Sequence, residues 1–423
     1  MLADDPFHEL ADDRYKEWND SGALGNLSRR PRLVALDWAT FRVRVDTQAL
    51  AAAAQTFVIT RCLLGIATYL AMALHPSIWG AKHPSSPTFW DAWYQWDARW
   101  YVRVARGGYQ FQDIHHWSTV AFFPFYPALI LAGVTVVPVS TKLVALLVSN
   151  VLFFWALFVL HRLVRREFDG ELAARTVWYI SIFPTALFFF AGYSEAPFLL
   201  LTVMSVAAMR ERHWAAAGLW GLLASATRSQ GLVLLIPFAV ELWQAEGSRW
   251  WRKHASLSLG LVPLGMAGFA LIMNFRFANP LLFVEIQRAW HRTTTWPWTG
   301  ILASLQSLAH GHVASPWPSQ NLTQIACVLL FLWLIVSGWR LLPLSFSLYA
   351  AAGLLLILVN PAILDGYREP LMSTSRLCLA LFPCFITLAK RGEDPGVDRW
   401  ISTIGPGMLA IFAVVFLQGG WVA

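Results

Sequence analysis

The sequence predicts an all-α polytopic membrane protein, on three observations. Of its 423 residues 57% are hydrophobic and only 13% are charged, against roughly 25% charged in a soluble domain. Apolar runs of membrane-spanning length recur from residue 50 to the end, among them Leu50–Leu74, Lys142–Leu160, Leu257–Met273 and Ile325–Val336. Tryptophan is heavily used, with 23 residues, and its ring favours the membrane interface, where the N–H stays wet.

The N-terminal stretch 1–49 is expected to be a polar cytoplasmic tail. It starts acidic (Asp4, Asp5, Glu9, Asp12, Asp13) and ends basic (Arg29, Arg30, Arg32, Arg42, Arg44), and no signal peptide is expected ahead of the first apolar segment. About eleven spans follow in an integral domain over 50–423, near 50–74, 141–161, 176–192, 196–209, 214–227, 231–245, 256–275, 322–340, 343–361, 376–390 and 400–418. Several are short for a hydrocarbon core of ~30 Å, and short or broken helices are tolerated where they line a protein cavity. The apolar stretch 119–138 carries Pro124, Pro127 and Pro138. Reading it as re-entrant puts the tail and most Lys/Arg-rich loops on the cytoplasmic side, as the positive-inside rule prefers. Two large loops, 75–140 and 276–321, then face the extracytoplasmic side. The net charge of +7 reports orientation and contact with anionic lipid, and no nucleic-acid motif is present. Cys62, Cys327, Cys378 and Cys384 sit in apolar runs without CxxC spacing, which excludes a zinc or disulfide framework and reads as small core residues.

The first outer loop is the most informative segment. In TFWDAWYQWDARWYVRVARGGY (88–109), Thr88 and Asp91 fit a capping box, and Gly107–Gly108 fit a helix stop. A helix of about five turns is expected between them. Projected at about 100° per residue, Trp93, Trp96, Trp100, Tyr101 and Val104 share one arc and Arg99, Arg103 and Arg106 the opposite one, an interfacial pattern. Asp97 falls inside the aromatic arc. An unpaired carboxylate in such surroundings is the more basic for it, which is what a general base needs; pairing with an arginine of a neighbouring span is the structural alternative. Asp91 is explained by capping. His115 and His116 follow. Adjacent histidines without a third ligand favour hydrogen bonding in a cleft over a metal site.

Other polar groups recur at the ends of spans. Tyr193, Ser194 and Glu195 occupy a helix–helix turn, where Glu195 is either a second acid of a site or a helix N-terminal anion. Arg228, with Ser229, Gln230 and Gly231, lies between two short spans, a phosphate-binding arrangement or an interfacial snorkel. Glu285, Gln287, Arg288, Trp290, His291 and Arg292 crowd an expected helix, either the roof of a cavity or ordinary interfacial chemistry, and Arg376 opens a late span as a second phosphate candidate. No Gly-rich nucleotide loop, HExxH, CxxC pair or DxD motif occurs; soluble nucleotide sugars are often held through a metal bound at DxD, whereas a lipid phosphate presented within the bilayer needs no such motif.

The motifs WDARWYVRVARGGY, AFFPFYP, FPTALFFFAGYSEAPFLLL and ATRSQGLVLLIP, in that order, resemble the PIG-V-like mannosyltransferases of the GT-C superfamily, over about residues 50–390. The resemblance implies a GT-C-type helical bundle and a polyprenyl-phosphate-mannose donor. It also implies a lipid or glycan acceptor and a site on the extracytoplasmic face, in a bacterial plasma membrane. Asp97 matches the acid of the first outer loop that the family is held to use as base. Arg228 matches the basic position near the donor phosphate, and Glu195 the acid of a YSES-like motif. RSQG stands where an RPxG-type turn is the family pattern. An inverting transfer is expected, without cofactor or metal, though a divalent cation stays open. Asp97 is the expected base, and Arg228, Glu195, Gln230, Arg292, Arg376, His115, Gln287 and Tyr193 are the expected substrate-binding residues. Transfer of another sugar such as arabinose, or a lipid or sugar transporter, are the alternative readings.

Overall fold

The computed structural model describes residues 46–79, 88–310, 316–366 and 369–423. Most of the expected polar tail, residues 1–45, lies outside the described residues. Those described form helices, with no strand among them and an isolated antiparallel bridge between Arg292 and Ala362.

Five helices are long and apolar enough to cross a membrane, in whole or in the stated part. They are α1 (Thr47–Trp79, through Leu74), α4 (Thr141–Glu167), α9 (Leu261–Phe277, with the turn from His254), α11 (Pro316–Gly338, from Gln320) and α14 (Pro395–Leu417). Shorter helices complete the chain: α2 (Asp97–Gly107), α3 (Phe125–Val136), α5 (Gly170–Ile182), α6 (Glu195–Arg210), α7 (Trp214–Ser225), α8 (Leu235–Glu246), α10 (Thr299–His310), α12 (Leu344–Leu358) and α13 (Phe382–Arg391). Their caps follow local chemistry. Ser140 accepts from the Leu143 amide, Asp169 from that of Leu172, and Asp394 from those of Gly396 and Val397, each satisfying a donor that a helix start leaves free. Cys327, Cys378 and Cys384 are buried as expected, but Cys62 is exposed on α1.

Polar contacts mark two ends. At one, Arg210 grips Glu167 (2.6 Å) and Glu241 (2.9 Å), Ser345 donates to Glu241, Arg166 pairs with Glu211, Arg165 pairs with Asp46, and Tyr179 donates to Asp398. The ends of α4, α6 and α8 and the starts of α1, α5, α12 and α14 meet there. The opposite ends of the same helices converge where Asp97, Glu195, Arg228 and Arg376 lie.

At that second end three expected spans are broken. The span expected over 176–192 ends as α5 at Ile182. Phe183 is extended before Pro184, because a residue preceding proline is pushed out of the α region, and a 3-10 turn over Ala186–Phe189 leads to Tyr193. The 231–245 span begins as a 3-10 segment, Ser229–Leu234, before α8. The 376–390 span splits into turns at Thr374–Leu377 and Cys378–Ala380 before Pro383 restarts it as α13.

Candidate active site

The expected five-turn helix over 88–109 is two pieces. The Thr88 hydroxyl donates to Asp91 (2.8 Å) and accepts its amide (3.2 Å), half of the expected capping box, and the turn that follows spans only Asp91–Trp93. Lys142 at the start of α4 also donates to Asp91 (2.8 Å), and with Thr88 it holds that carboxyl below the usual carboxylate range. The chain breaks at Trp96, whose φ of 49° and ψ of −120° lie where side-chain-bearing residues are rarely found and cost energy to hold. α2 then starts at Asp97. The indole of Trp93 is buried and donates to Thr68 of α1 (3.0 Å), and this contact anchors the break.

Asp97 is therefore the first residue of a helix, not the middle of one, and it is not unpaired. Arg376 donates to its Oδ2 at 2.7 Å. The premise of an isolated, more basic carboxylate falls, and the pairing alternative holds geometrically. The Asp97 amide donates to the Tyr193 hydroxyl (3.2 Å), which in turn donates to the Gln95 carbonyl (3.2 Å). The strained entry and this clamp fix the direction of the carboxylate.

The second acid, Glu195, opens α6 and is 4% exposed. Its Oε1 lies 2.6 Å from Arg228 Nη1 and 3.2 Å from Arg376 Nε. Arg228 also donates to Ser194 (3.1 Å), and Ser194 shares a 2.7 Å hydrogen bond with Tyr101 of α2. Burial pushes the Tyr101 phenol above its ordinary range, so it stays protonated. Two carboxylates and two guanidiniums thus form one continuous chain, Asp97–Arg376–Glu195–Arg228, drawn from four segments. The guanidinium of Arg376 also lies 5.3 Å from the ring centres of Phe188 and Trp421 and 5.4 Å from that of Tyr193, a favourable cation–π cage.

Each member is held by its own supports. The non-helical segment before Glu195 leaves buried carbonyls outside the helical ladder, and buried carbonyls need partners. Asn150 of α4 donates to Phe190 (2.9 Å), and Arg61 of α1 donates to Asn150 (2.8 Å) and Phe189 (3.4 Å) between the rings of Phe57 and Phe153. The turn bearing Arg228 needs a glycine at 231, since a Cβ there would stand 2.4 Å from the Ser225 amide nitrogen. The turn bearing Arg376 follows Ser373 at φ 71° and is pinned by Gln324, which accepts from Ser375 (2.8 Å), and by Thr185, which donates to the Ser375 carbonyl (3.0 Å).

A small, partly open cavity borders the cluster, lined by Glu195, Phe198, Arg228, Gln230, Arg376 and Leu377 among others. Of the nine residues expected at the site, Asp97, Tyr193, Glu195, Arg228, Gln230 and Arg376 come together here. Three do not. Arg292 donates to the carbonyls of Asn360 (2.9 Å) and Met372 (2.8 Å), fastening one loop to another. Gln287 donates to Phe283 within its own turn (3.3 Å). His115 is exposed in the 113–117 turn, where its amide and that of His116 donate to Asp113; among the described residues no group of three or more His, Cys, Asp or Glu gathers there. The site also contains Tyr101, Ser194 and Trp421, which were not singled out. Tyr101 lay on the right arc and Ser194 beside Glu195, whereas nothing local marks Trp421.

The mannosyltransferase (PIG-V) family model matches residues 79–245, which contain all four motifs. The resemblance drawn from them is borne out over that segment, a narrower one than 50–390. GPI alpha-1,6-mannosyltransferase 2 of Mus musculus is 36% identical over 154 residues, 33% of this chain and 30% of the relative. Its Cricetulus griseus counterpart is 32% identical over 150 residues, 33% of this chain and 29% of the relative. The alignment thus spans less than a third of either curated relative. Among solved structures, ArnT from Cupriavidus metallidurans bound to undecaprenyl phosphate aligns with a TM-score of 0.46 at 12% identity, over 86% of this chain and 76% of that one. The apo Archaeoglobus fulgidus oligosaccharyltransferase aligns with a TM-score of 0.43 at 12% identity, over 86% and 56%.

Proposed function

We propose that this chain, whose residues 79–245 match the mannosyltransferase (PIG-V) family, is a multi-pass membrane glycosyltransferase. It moves mannose from a polyprenyl-phosphate-mannose donor to a lipid-linked or glycan acceptor on the extracytoplasmic side. The observation that carries the reading is the ion-pair chain Asp97–Arg376–Glu195–Arg228 at one end of the helices, of which Arg376, Glu195 and Arg228 line one cavity. The reading includes a topology of about eleven crossings, with 119–138 re-entrant and the N-terminus cytoplasmic.

The transfer is inverting. Asp97 takes the proton of an acceptor hydroxyl, whose oxygen attacks the anomeric carbon as the bond to the lipid phosphate breaks. The phosphate gains the charge that the sugar bond held. Arg376 couples the two events, since a proton arriving on Asp97 removes one of its partners and leaves its charge to the departing phosphate, the electrostatic stabilisation that most lowers such barriers. Arg228 fixes Glu195 and adds a second positive charge beside the same cavity.

The test is transfer from radiolabelled polyprenyl-phosphate-mannose into membrane lipid extract by purified protein. Asp97→Asn is expected to lose about 10²–10⁴-fold in turnover while remaining folded and monodisperse. A well-folded Asp97→Asn protein with full turnover overturns the base assignment. A wild type that neither binds nor uses the donor overturns the enzymatic reading.

A further inference from the structure

The cavity beside the cluster holds four polar atoms without a hydrogen-bond partner. Gln230 is 9% exposed and neither its amide nitrogen nor its oxygen makes a hydrogen bond, Oε2 of Glu195 makes none, and Nε of Arg376 approaches Glu195 at 3.2 Å without the alignment of a hydrogen bond. Buried polar atoms in folded proteins almost always find partners, so orphan donors and acceptors around one cavity mark the place of a ligand that brings hydrogen bonds of both kinds with it.

The charges say which kind. Both guanidiniums on the cavity are already opposed, Arg228 by Glu195, and Arg376 by Glu195 and Asp97. A lipid-linked phosphodiester has no hydrogen to give, and inside this cavity its oxygens would face the free oxygen of Glu195. A sugar hydroxyl both donates and accepts. It can give its hydrogen to Glu195 Oε2, and the Gln230 amide offers one donor and one acceptor to its neighbours. Phe198, Leu377 and Ala380 supply the remaining apolar wall, the usual composition of a site in which a few polar groups fix orientation.

We propose that Gln230 and Glu195 Oε2 form the subsite for the hydroxyls of the transferred hexose, with Gln230 the specificity-determining residue and the lipid phosphate at the Arg376 edge of this cavity. The inference rests on the glycosyltransferase reading above and assigns to Gln230 the sugar in place of the phosphate.

Purified wild type and Gln230→Leu, with the shape-conserving Gln230→Met as a second variant, are compared for binding and turnover. The probes are polyprenyl-phosphate-mannose, polyprenyl-phosphate-glucose and sugar-free polyprenyl phosphate. At least one variant must be monodisperse with a wild-type unfolding midpoint. The expected result has three parts: about tenfold or greater loss of affinity for polyprenyl-phosphate-mannose, the worth of one or two hydrogen bonds; a similar narrowing of the mannose-over-glucose preference in kcat/KM; and affinity for sugar-free polyprenyl phosphate within about twofold of wild type. Equal losses with and without the sugar make Gln230 a phosphate ligand and overturn the subsite, as do folded variants that match wild type on all three probes. Both results leave the transferase reading standing. A wild type that binds none of the sugar-bearing lipids overturns that reading and the subsite with it.

Discussion

Arg376 donates to Asp97 through Nη1 and sets Nε 3.2 Å from Glu195, two contacts spaced by a rigid planar fork that the compact ammonium of a lysine does not reproduce. Its side chain is 10% exposed and that of Asp97 20%, so the pair works largely away from water. Arg376→Lys is expected to keep the positive charge but lose the bridge. Steady-state kinetics with the lipid-linked donor should show kcat falling about 10²-fold, the order found on removing one transition-state donor, with a smaller change in KM. An unchanged kcat would assign the bridge to stability alone. Asp97 was legible in the sequence as a carboxylate among tryptophans. Its partner was not, because Arg376 lies 279 positions away and no local pattern joins the two. Arg228 and Glu195 were legible singly, each at the edge of an apolar run, but their mutual neutralisation was not. Nor was the part Arg292 plays between loops legible: a cation near a cavity is as ready to fasten loop carbonyls as to meet a phosphate.

The elements nearest the site are the broken ones. Pro184, Pro383 and the Trp96 kink stop helices short, and the freed backbone groups are met by side chains such as Asn150 and Arg61. The long helices α1, α4, α9, α11 and α14 were legible because continuous apolar composition and spanning length coincide. The breaks were less so, since 3-10 turns such as Ala186–Phe189 and Ser229–Leu234 are as apolar as the helices they interrupt and hydropathy cannot separate them. The turn carrying Arg228 is the tightest of these. Gly231→Ala places a methyl against backbone that cannot swing aside, and overpacking of this kind costs about 1–3 kcal/mol. The unfolding midpoint in detergent should fall and, if the turn shifts to relieve the clash, donor affinity should fall with it. A variant unchanged in both would show that the turn has slack.

On the scale of the whole molecule, the helices join two ends of different character. One gathers basic loops and the Arg210–Glu167–Glu241 network; the other gathers the aromatic loops and the site. With the four native cysteines replaced, a cysteine at Gln112 is expected to react with an impermeant maleimide from outside intact cells. One at Arg340 should react only after permeabilisation, and the opposite pattern would invert the topology. Glu241→Gln, at the end away from the site, is expected to lower the unfolding midpoint, since it weakens a half-buried charged hydrogen bond worth about 1.5–3 kcal/mol, while leaving kcat unchanged. The neutral chain Asp97–Arg376–Glu195–Arg228 has one more consequence. A membrane surface is crowded with phospholipid headgroups, and two bare arginines facing it would be occupied by whichever anion came first. Arginines that already hold each other's counter-ions give a bystander headgroup little to gain, and only a ligand that also fills the neighbouring cavity repays their rearrangement. Raising the phosphatidylglycerol fraction of proteoliposomes at fixed donor should therefore leave the transfer rate within about twofold, where an open basic site would be progressively blocked as surface charge rises.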